Sequence, residues 1–108
     1  MENIEQKKYK CPLEYTQKVV GGKWKPIILW HLATEGVKRY GELKKTLISI
    51  SHKMLSQQLK ELEIDKVIHR EEYHQIPPKV EYSITEKGRT LLPILELMHK
   101  WGIENVEG

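Results

Sequence analysis

The chain has 108 residues, with 18 Lys or Arg against 15 Asp or Glu, a net charge of +3 and 39% hydrophobic residues, enough for one modest core and little room for a second domain. No apolar run reaches the 18 residues of a membrane span, and the opening MENIEQKKYK is polar, so neither a membrane helix nor a secretory leader is expected and a cytoplasmic setting is. A single cysteine, Cys11, excludes an internal disulfide framework.

Residues 1–10, with Lys7, Lys8 and Lys10, read as a flexible basic arm, and residues 11–108 as the folded domain. Pro12 suits the first turn of a helix, and Leu13, Thr16, Val19 and Val20 follow at helical spacing until Gly21 and Gly22 stop it. Lys23 to Pro26 restart the chain. Ile27, Ile28, Leu29, Trp30 and Leu32 then make a second helix, ending at Gly36, so apolar that it is expected at the centre of the core. After a basic turn at Lys38 and Arg39, Tyr40, Leu43, Leu47 and Ile48 mark a short third helix with Lys44 and Lys45 on its polar side.

The next stretch, SHKMLSQQLKELEIDK from Ser51 to Lys66, has two faces. Leu55, Leu59 and Leu62 form a stripe at i, i+4, i+7, while Lys53, Ser56, Gln57 and Lys60 fall opposite. Ser51, or Ser49 before it, can cap the first turn, which leaves the positive end of the helix dipole near His52 and Lys53, where phosphate is attracted. Glutamine, serine and lysine can also bond base edges in a major groove. Taken alone, this face is read equally well as ordinary solvated helix. Its neighbours tip the balance, because the third and fourth helices are joined by only a few residues, as in a helix-turn-helix. Charge agrees: residues 1–60 hold twelve Lys or Arg against five acids, and residues 61–108 six against ten.

Beyond Lys66 the period changes from 3.6 to 2. Ile68–Tyr73 reads as a strand by its flanks more than by alternation, whereas Lys79–Ile84 alternates cleanly, with Val80, Tyr82 and Ile84 on one side. The intervening His74 to Pro78 forms a loop, and the two strands a wing. Thr85 is expected to cap a last helix from Glu86 towards Val106, kinked near Pro93. Its apolar residues cover more than one stripe, more than a small domain can bury. The surplus face and the first helix are therefore expected to pair with a second copy, through Leu13, Leu95, Met98 and Trp101. The fold class expected is mainly α with a small β wing (α+β), a winged helix-turn-helix with two or three strands in the wing.

The motifs GGKWK at Gly21–Lys25, RYGEL at Arg39–Leu43, ISHKMLSQQLKELE at Ile50–Glu63 and PPKVEYSITEKG at Pro77–Gly88, with a late Trp101, closely resemble the HxlR-type winged-helix transcription regulators. The likeness covers nearly the whole chain from Cys11 to Trp101, and several motifs in order are far more specific than any one. It implies a dimeric DNA-binding regulator, distantly MarR-like, whose terminal helices make the dimer and whose fourth helix enters the major groove. It also implies that a Cys-Pro pair opening the first helix, here Cys11 and Pro12, senses electrophiles or oxidants in some members. One departure stands out. Where the family often has glycine after the recognition helix, this chain has Lys66; a left-handed turn there costs on the order of 1 kcal/mol without glycine, so a different turn into the wing is expected.

The DNA-contacting residues expected are Lys53, Ser56 and Gln57 at base edges or nearby phosphate, flanked by His52 and Lys60. Lys45, Arg39 and Lys79 are further phosphate candidates, for which ordinary solvated charge is nearly as good a reading. Cys11, at a helix N-terminus after three lysines, is a candidate redox sensor, against the equal alternative that it is a small buried hydrophobe. The five histidines complete no zinc pattern: His69 and His74 read as solvated or structural and His31 as a hydrogen-bonded core or boundary residue. Trp24, Trp30 and Trp101 read as packing groups, with Trp101 open to a dimer role. No nucleophile has a companion base and no phosphate loop or HExxH is present, so no catalysis, cofactor or metal is expected. The function expected is a homodimeric repressor on a pseudo-palindromic double-stranded operator, its recognition helices about 34 Å apart, answering to an oxidant, electrophile or small-molecule effector. The rival readings are a winged-helix protein-interaction module without a DNA target and a small thiol-redox protein built on Cys11.

Overall fold

The computed structural model describes residues 9–107; Lys7, Lys8 and the rest of the first eight residues of the expected arm lie outside the described residues. Helix α1 (Pro12–Val20) starts with proline where no helical N–H is needed and stops at Gly21, where a Cβ would run into the Gln17 carbonyl. Helix α2 (Lys25–Glu35) is the central one, with Ile28, Leu29 and Leu32 fully buried. It ends at Gly36, whose φ of 89° is a left-handed conformation that glycine takes without penalty.

Two local expectations are corrected in the next turn of chain, and a third, the cap of the fourth helix, is decided between its two candidates. Lys38 and Arg39 form not a turn but a short strand, β1 (Lys38–Arg39), pairing antiparallel with the later wing strand at Tyr82 and Glu81. Two residues are too few for periodicity to register, so only the tertiary partner reveals the strand. Helix α3 (Tyr40–Thr46) ends before Ile48, which is 82% exposed, while Leu47 and Ile50 turn inward in its place. The cap of helix α4 (His52–Ile64) is Ser51, whose Oγ accepts from Met54 N at 3.0 Å; Ser49 instead takes a positive φ of 82° in the connecting turn.

At the far end of α4 the left-handed turn is kept despite the missing glycine. Lys66 has φ 62°, its N–H donates to the Glu63 carbonyl, and the Val67 N–H reaches back to Leu62. This pair of bonds is a Schellman closure, with Val67 and Leu62 both buried beside it. The expectation of a different turn is overturned because packing of Val67 outweighs the strain on one residue. Lys66→Gly is accordingly expected to stabilise the protein by roughly 0.5–1 kcal/mol, a rise of a few degrees in thermal midpoint. A midpoint unchanged or lowered in calorimetry would show that the lysine is not strained.

Strands β2 (Ile68–Tyr73) and β3 (Lys79–Ile84) pair antiparallel from Ile68↔Ile84 to Tyr73↔Lys79, giving a three-stranded sheet of order β1-β3-β2. Only Ile68 of β2 is buried, which is why its alternation is faint: both faces of the outer hairpin meet solvent. The expected single last helix is two. Thr85 caps α5 (Glu86–Arg89), accepting from Gly88 N, and the chain then breaks at Thr90 and Leu91 before α6 (Leu92–Asn105). Pro93 lies in the first turn of α6, so it opens a helix instead of kinking one.

The core joins Val19 and Val20 of α1, the buried face of α2, Leu43, the leucine stripe of α4, Tyr82 and Ile84 of β3, and Leu95 of α6. Leu95 is 3% exposed, so its expected place at a dimer contact is withdrawn: it is the residue that fastens α6 to its own protomer. The rest of that helix is open, with Trp101 68%, Leu97 67% and Met98 48% exposed, and Leu13 of α1 59% exposed. Trp24 and Trp30 pack against the core as expected, Trp30 stacking on His99.

Candidate nucleic-acid interface

Burial of Leu55, Leu59 and Leu62 turns the opposite side of α4 to solvent, and Lys53, Ser56, Gln57 and Lys60 are all exposed there. Lys53, Lys60 and, on α3, Lys45 form no ion pair among the described residues. His52 opens the helix beside the free N–H groups of its first turn.

Two flanks of this helix are tied down by groups whose polar role the sequence did not show. On one side Tyr40, expected only as an apolar residue of α3, stacks on the His52 ring and places its hydroxyl 3.0 Å from His52 Nδ1 and 3.4 Å from Ser56 Oγ, while donating to the His52 carbonyl. It fixes the first turn of α4 against α3. On the other side Gln57 Nε2 donates to Glu61 Oε2 at 3.2 Å, and Glu61 pairs with Lys25 Nζ at 2.7 Å. The hydrogen bond from Lys25 holds the Glu61 carboxyl below the usual carboxylate range against the opposing effect of burial. Lys25 is only 7% exposed and also donates to the Lys18 carbonyl, and Lys18 pairs with Asp65 just past the end of α4 at 2.8 Å. The ammonium of Lys18 is held protonated by its bond to Asp65, its pKa raised. Helices α1 and α2 thus both grip α4 through charge. The i,i+4 spacing of Gln57 and Glu61 was visible in the sequence; the partners from α1 and α2 required the fold.

The remaining expected contacts are more dispersed. Arg39 is exposed where its backbone N–H donates to Glu42 at the start of α3. Lys79 sits at the wing 3.7 Å from Glu81 and over the Tyr73 ring, Arg70 pairs with Glu72, and the His69 ring lies 3.1 Å from Glu71. The cations of the wing therefore have acidic neighbours, unlike Lys45, Lys53 and Lys60 on α3 and α4. Cys11 is exposed at the N-cap of α1 without a side-chain capping bond, so the buried alternative does not hold. His31 bonds Glu35 at 2.7 Å as a boundary residue. No cluster of three potential metal ligands occurs among the described residues.

A short turn followed by a capped helix with an open cationic face, then a hairpin, is a winged helix-turn-helix. A model of the HxlR-like helix-turn-helix family matches residues 19–108. The chain belongs to that family. MalR of Fusobacterium mortiferum is 68% identical over 106 residues, 97% of this chain and 100% of that one. The HTH-type transcriptional regulator YybR of Bacillus subtilis strain 168 is 52% identical over 104 residues, 96% of this chain and 82% of its own length. Among solved structures, the oxidised form of the redox regulator HypR superposes with a TM-score of 0.86 at 52% identity, covering 91% of this chain and 100% of that one. This HxlR-family protein is a DNA-binding transcriptional regulator and not an enzyme, which removes the thiol-redox enzyme and the DNA-free interaction module as readings. No helix among the described residues is long and apolar enough to cross a membrane.

Proposed function

We propose that this regulator is a cytoplasmic homodimeric repressor whose two α4 helices enter successive major grooves of a pseudo-palindromic operator. Lys53, Ser56 and Gln57 meet base edges or adjacent phosphates, flanked by His52 and Lys60; Lys45 and Arg39 hold the backbone, and Lys79 adds little because Glu81 compensates it. The observation that carries this reading is the open face of α4, polar and cationic directly opposite its buried leucine stripe. Residues 11–108 form the winged-helix domain in this reading, with Leu13, Met98 and Trp101 in the dimer contact. Residues 1–10 are a basic arm in this reading.

The signal in this reading is oxidative or electrophilic and acts at Cys11. Its support is the exposure of that thiol at the end of α1, the grip of α1 on α4 through Lys18 and Asp65, and the similarity to a structure described as a redox regulator. Modification at one end of α1 then shifts the two recognition helices relative to each other, and one half-site is lost.

Anisotropy titrations with the DNA upstream of the regulator's own gene, over a salt series, test the interface. Gln57→Ala is expected to lose roughly 1–3 kcal/mol on the operator and to flatten sequence preference, whereas Lys60→Ala weakens all sequences and lowers the salt slope by about one. Operator binding untouched by Gln57→Ala would refute the orientation of α4. Diamide or an aldehyde should release the native protein but not Cys11→Ser, and equal release of both would remove Cys11 from the mechanism.

A further inference from the structure

Gln57 and Glu61 lie one turn apart, and the contact between them fixes more than a distance. A carboxylate only accepts hydrogen bonds, so the Gln57 amide must turn its NH2 towards Glu61 Oε2, 3.2 Å away. The oxygen of the amide, together with the one N–H that Glu61 does not take, is then left for the outer side of the helix, each in a fixed place. Glu61 cannot easily swing aside, because its other oxygen receives Lys25 Nζ at 2.7 Å, and that ammonium is almost completely buried and donates also to the Lys18 carbonyl. Releasing Glu61 would leave a buried cation without its counter-charge. The orientation of Gln57 is therefore imposed from within the protein by a lysine of α2 that never approaches DNA.

We propose that Glu61, anchored by Lys25, is a positioning residue for specificity: it presents the oxygen of Gln57 to the major groove and so selects a base bearing an amino donor, adenine or cytosine, over guanine or thymine. The chemistry follows from the groove code. Adenine N6 and cytosine N4 are its donors, whereas guanine O6 and thymine O4 are acceptors that would face the Gln57 oxygen without a proton between them. An unrestrained glutamine turns its amide to suit either kind of edge. A clamped one does not, and the preference is set before DNA arrives. The inference rests on the reading that Gln57 faces base edges.

Selection of a randomised duplex library with the full chain, sequenced after binding, tests it on four proteins. The native protein is expected to enrich adenine or cytosine at one position in each half-site, by about fivefold to tenfold over guanine and thymine, the discrimination of one good contact. Gln57→Ala flattens that position. In Glu61→Gln the new amide oxygen still accepts from Lys25 while its NH2 can donate to the Gln57 oxygen and turn that amide over. The same position should then lose its preference or move towards guanine and thymine, an effect that a change of net charge or of stability alone would not produce. The double variant Lys25→Met/Glu61→Ala removes both charges together, leaves no lone buried ammonium, and should also flatten the position. Retention of the native preference by Glu61→Gln and by the double variant, at a position that Gln57→Ala flattens, would overturn the proposal. If Gln57→Ala changes no position, the reading of Gln57 itself fails, and the inference fails with it.

Discussion

Trp101→Glu is expected to convert the regulator from dimer to monomer and to weaken operator binding by about a hundredfold or more, while leaving each protomer folded. Trp101, Leu97 and Met98 on α6 are open to solvent, as is Leu13 on α1, more apolar side chain than an isolated small protein keeps against water without a partner. Tryptophan is the side chain with most area to bury there, and a carboxylate in its place would be desolvated in any close contact. The protomer core reaches α6 through Leu95 and does not depend on Trp101, so circular dichroism and thermal midpoint should change little. The loss on DNA is large because linked binding of two half-sites multiplies affinity by on the order of a hundredfold to ten-thousandfold, and a monomer forfeits that factor. Sedimentation gives the oligomeric state, and titration of full and half operators gives the affinities. A native protein that sediments as a monomer at high concentration, or a Trp101→Glu variant that remains dimeric, would defeat the proposed symmetry.

Gly88→Ala is expected to destabilise the protein by about 3 kcal/mol, some 10–20 °C in thermal midpoint. Gly88 is buried in the one-turn helix α5, under the cap supplied by Thr85. A Cβ there would be driven onto the carbonyl oxygen of Val67 and the side chain of Ile84. The obstacle is mostly backbone, at the point where the Val67 carbonyl also receives the Thr85 N–H, so no rotamer change relieves it. The displacement would spread into the start of the wing and the end of α4, which share Val67. Gly41→Ala supplies the contrast: nothing lies within 4 Å of its added methyl, and in α3 alanine should stabilise by roughly 0.5–1 kcal/mol. Chemical denaturation of both variants decides it, and equal midpoints for the two would remove close packing as the reason for glycine at position 88.

Both results concern features that chain order shows unequally. The periodicity of Leu55, Leu59 and Leu62, the alternation of Val80, Tyr82 and Ile84, and the punctuation by Gly21, Gly36 and Pro12 act through near neighbours, and they sufficed for helices α1 to α4 and the wing strands β2 and β3. They sufficed too for the polar face of α4, since a helix that buries one stripe must expose the other. Exposure of Ile48, the break before α6 and the pairing of β1 with β3 were not legible, because each depends on which distant segment arrives to compete for the same residues.

The chain order by itself determined a winged helix-turn-helix with an open Lys53, Ser56, Gln57 and Lys60 face, because repeat spacing converts directly into helix faces and strand sides. Tertiary structure alone decided that Leu95 belongs to the core while Trp101 does not, that Tyr40 and Glu61 fasten the two flanks of α4, and that Lys66 bears a left-handed turn. Those outcomes come from contacts between segments far apart in sequence, such as Lys25 with Glu61 and Lys18 with Asp65, where position and burial, not residue type, set what a side chain does.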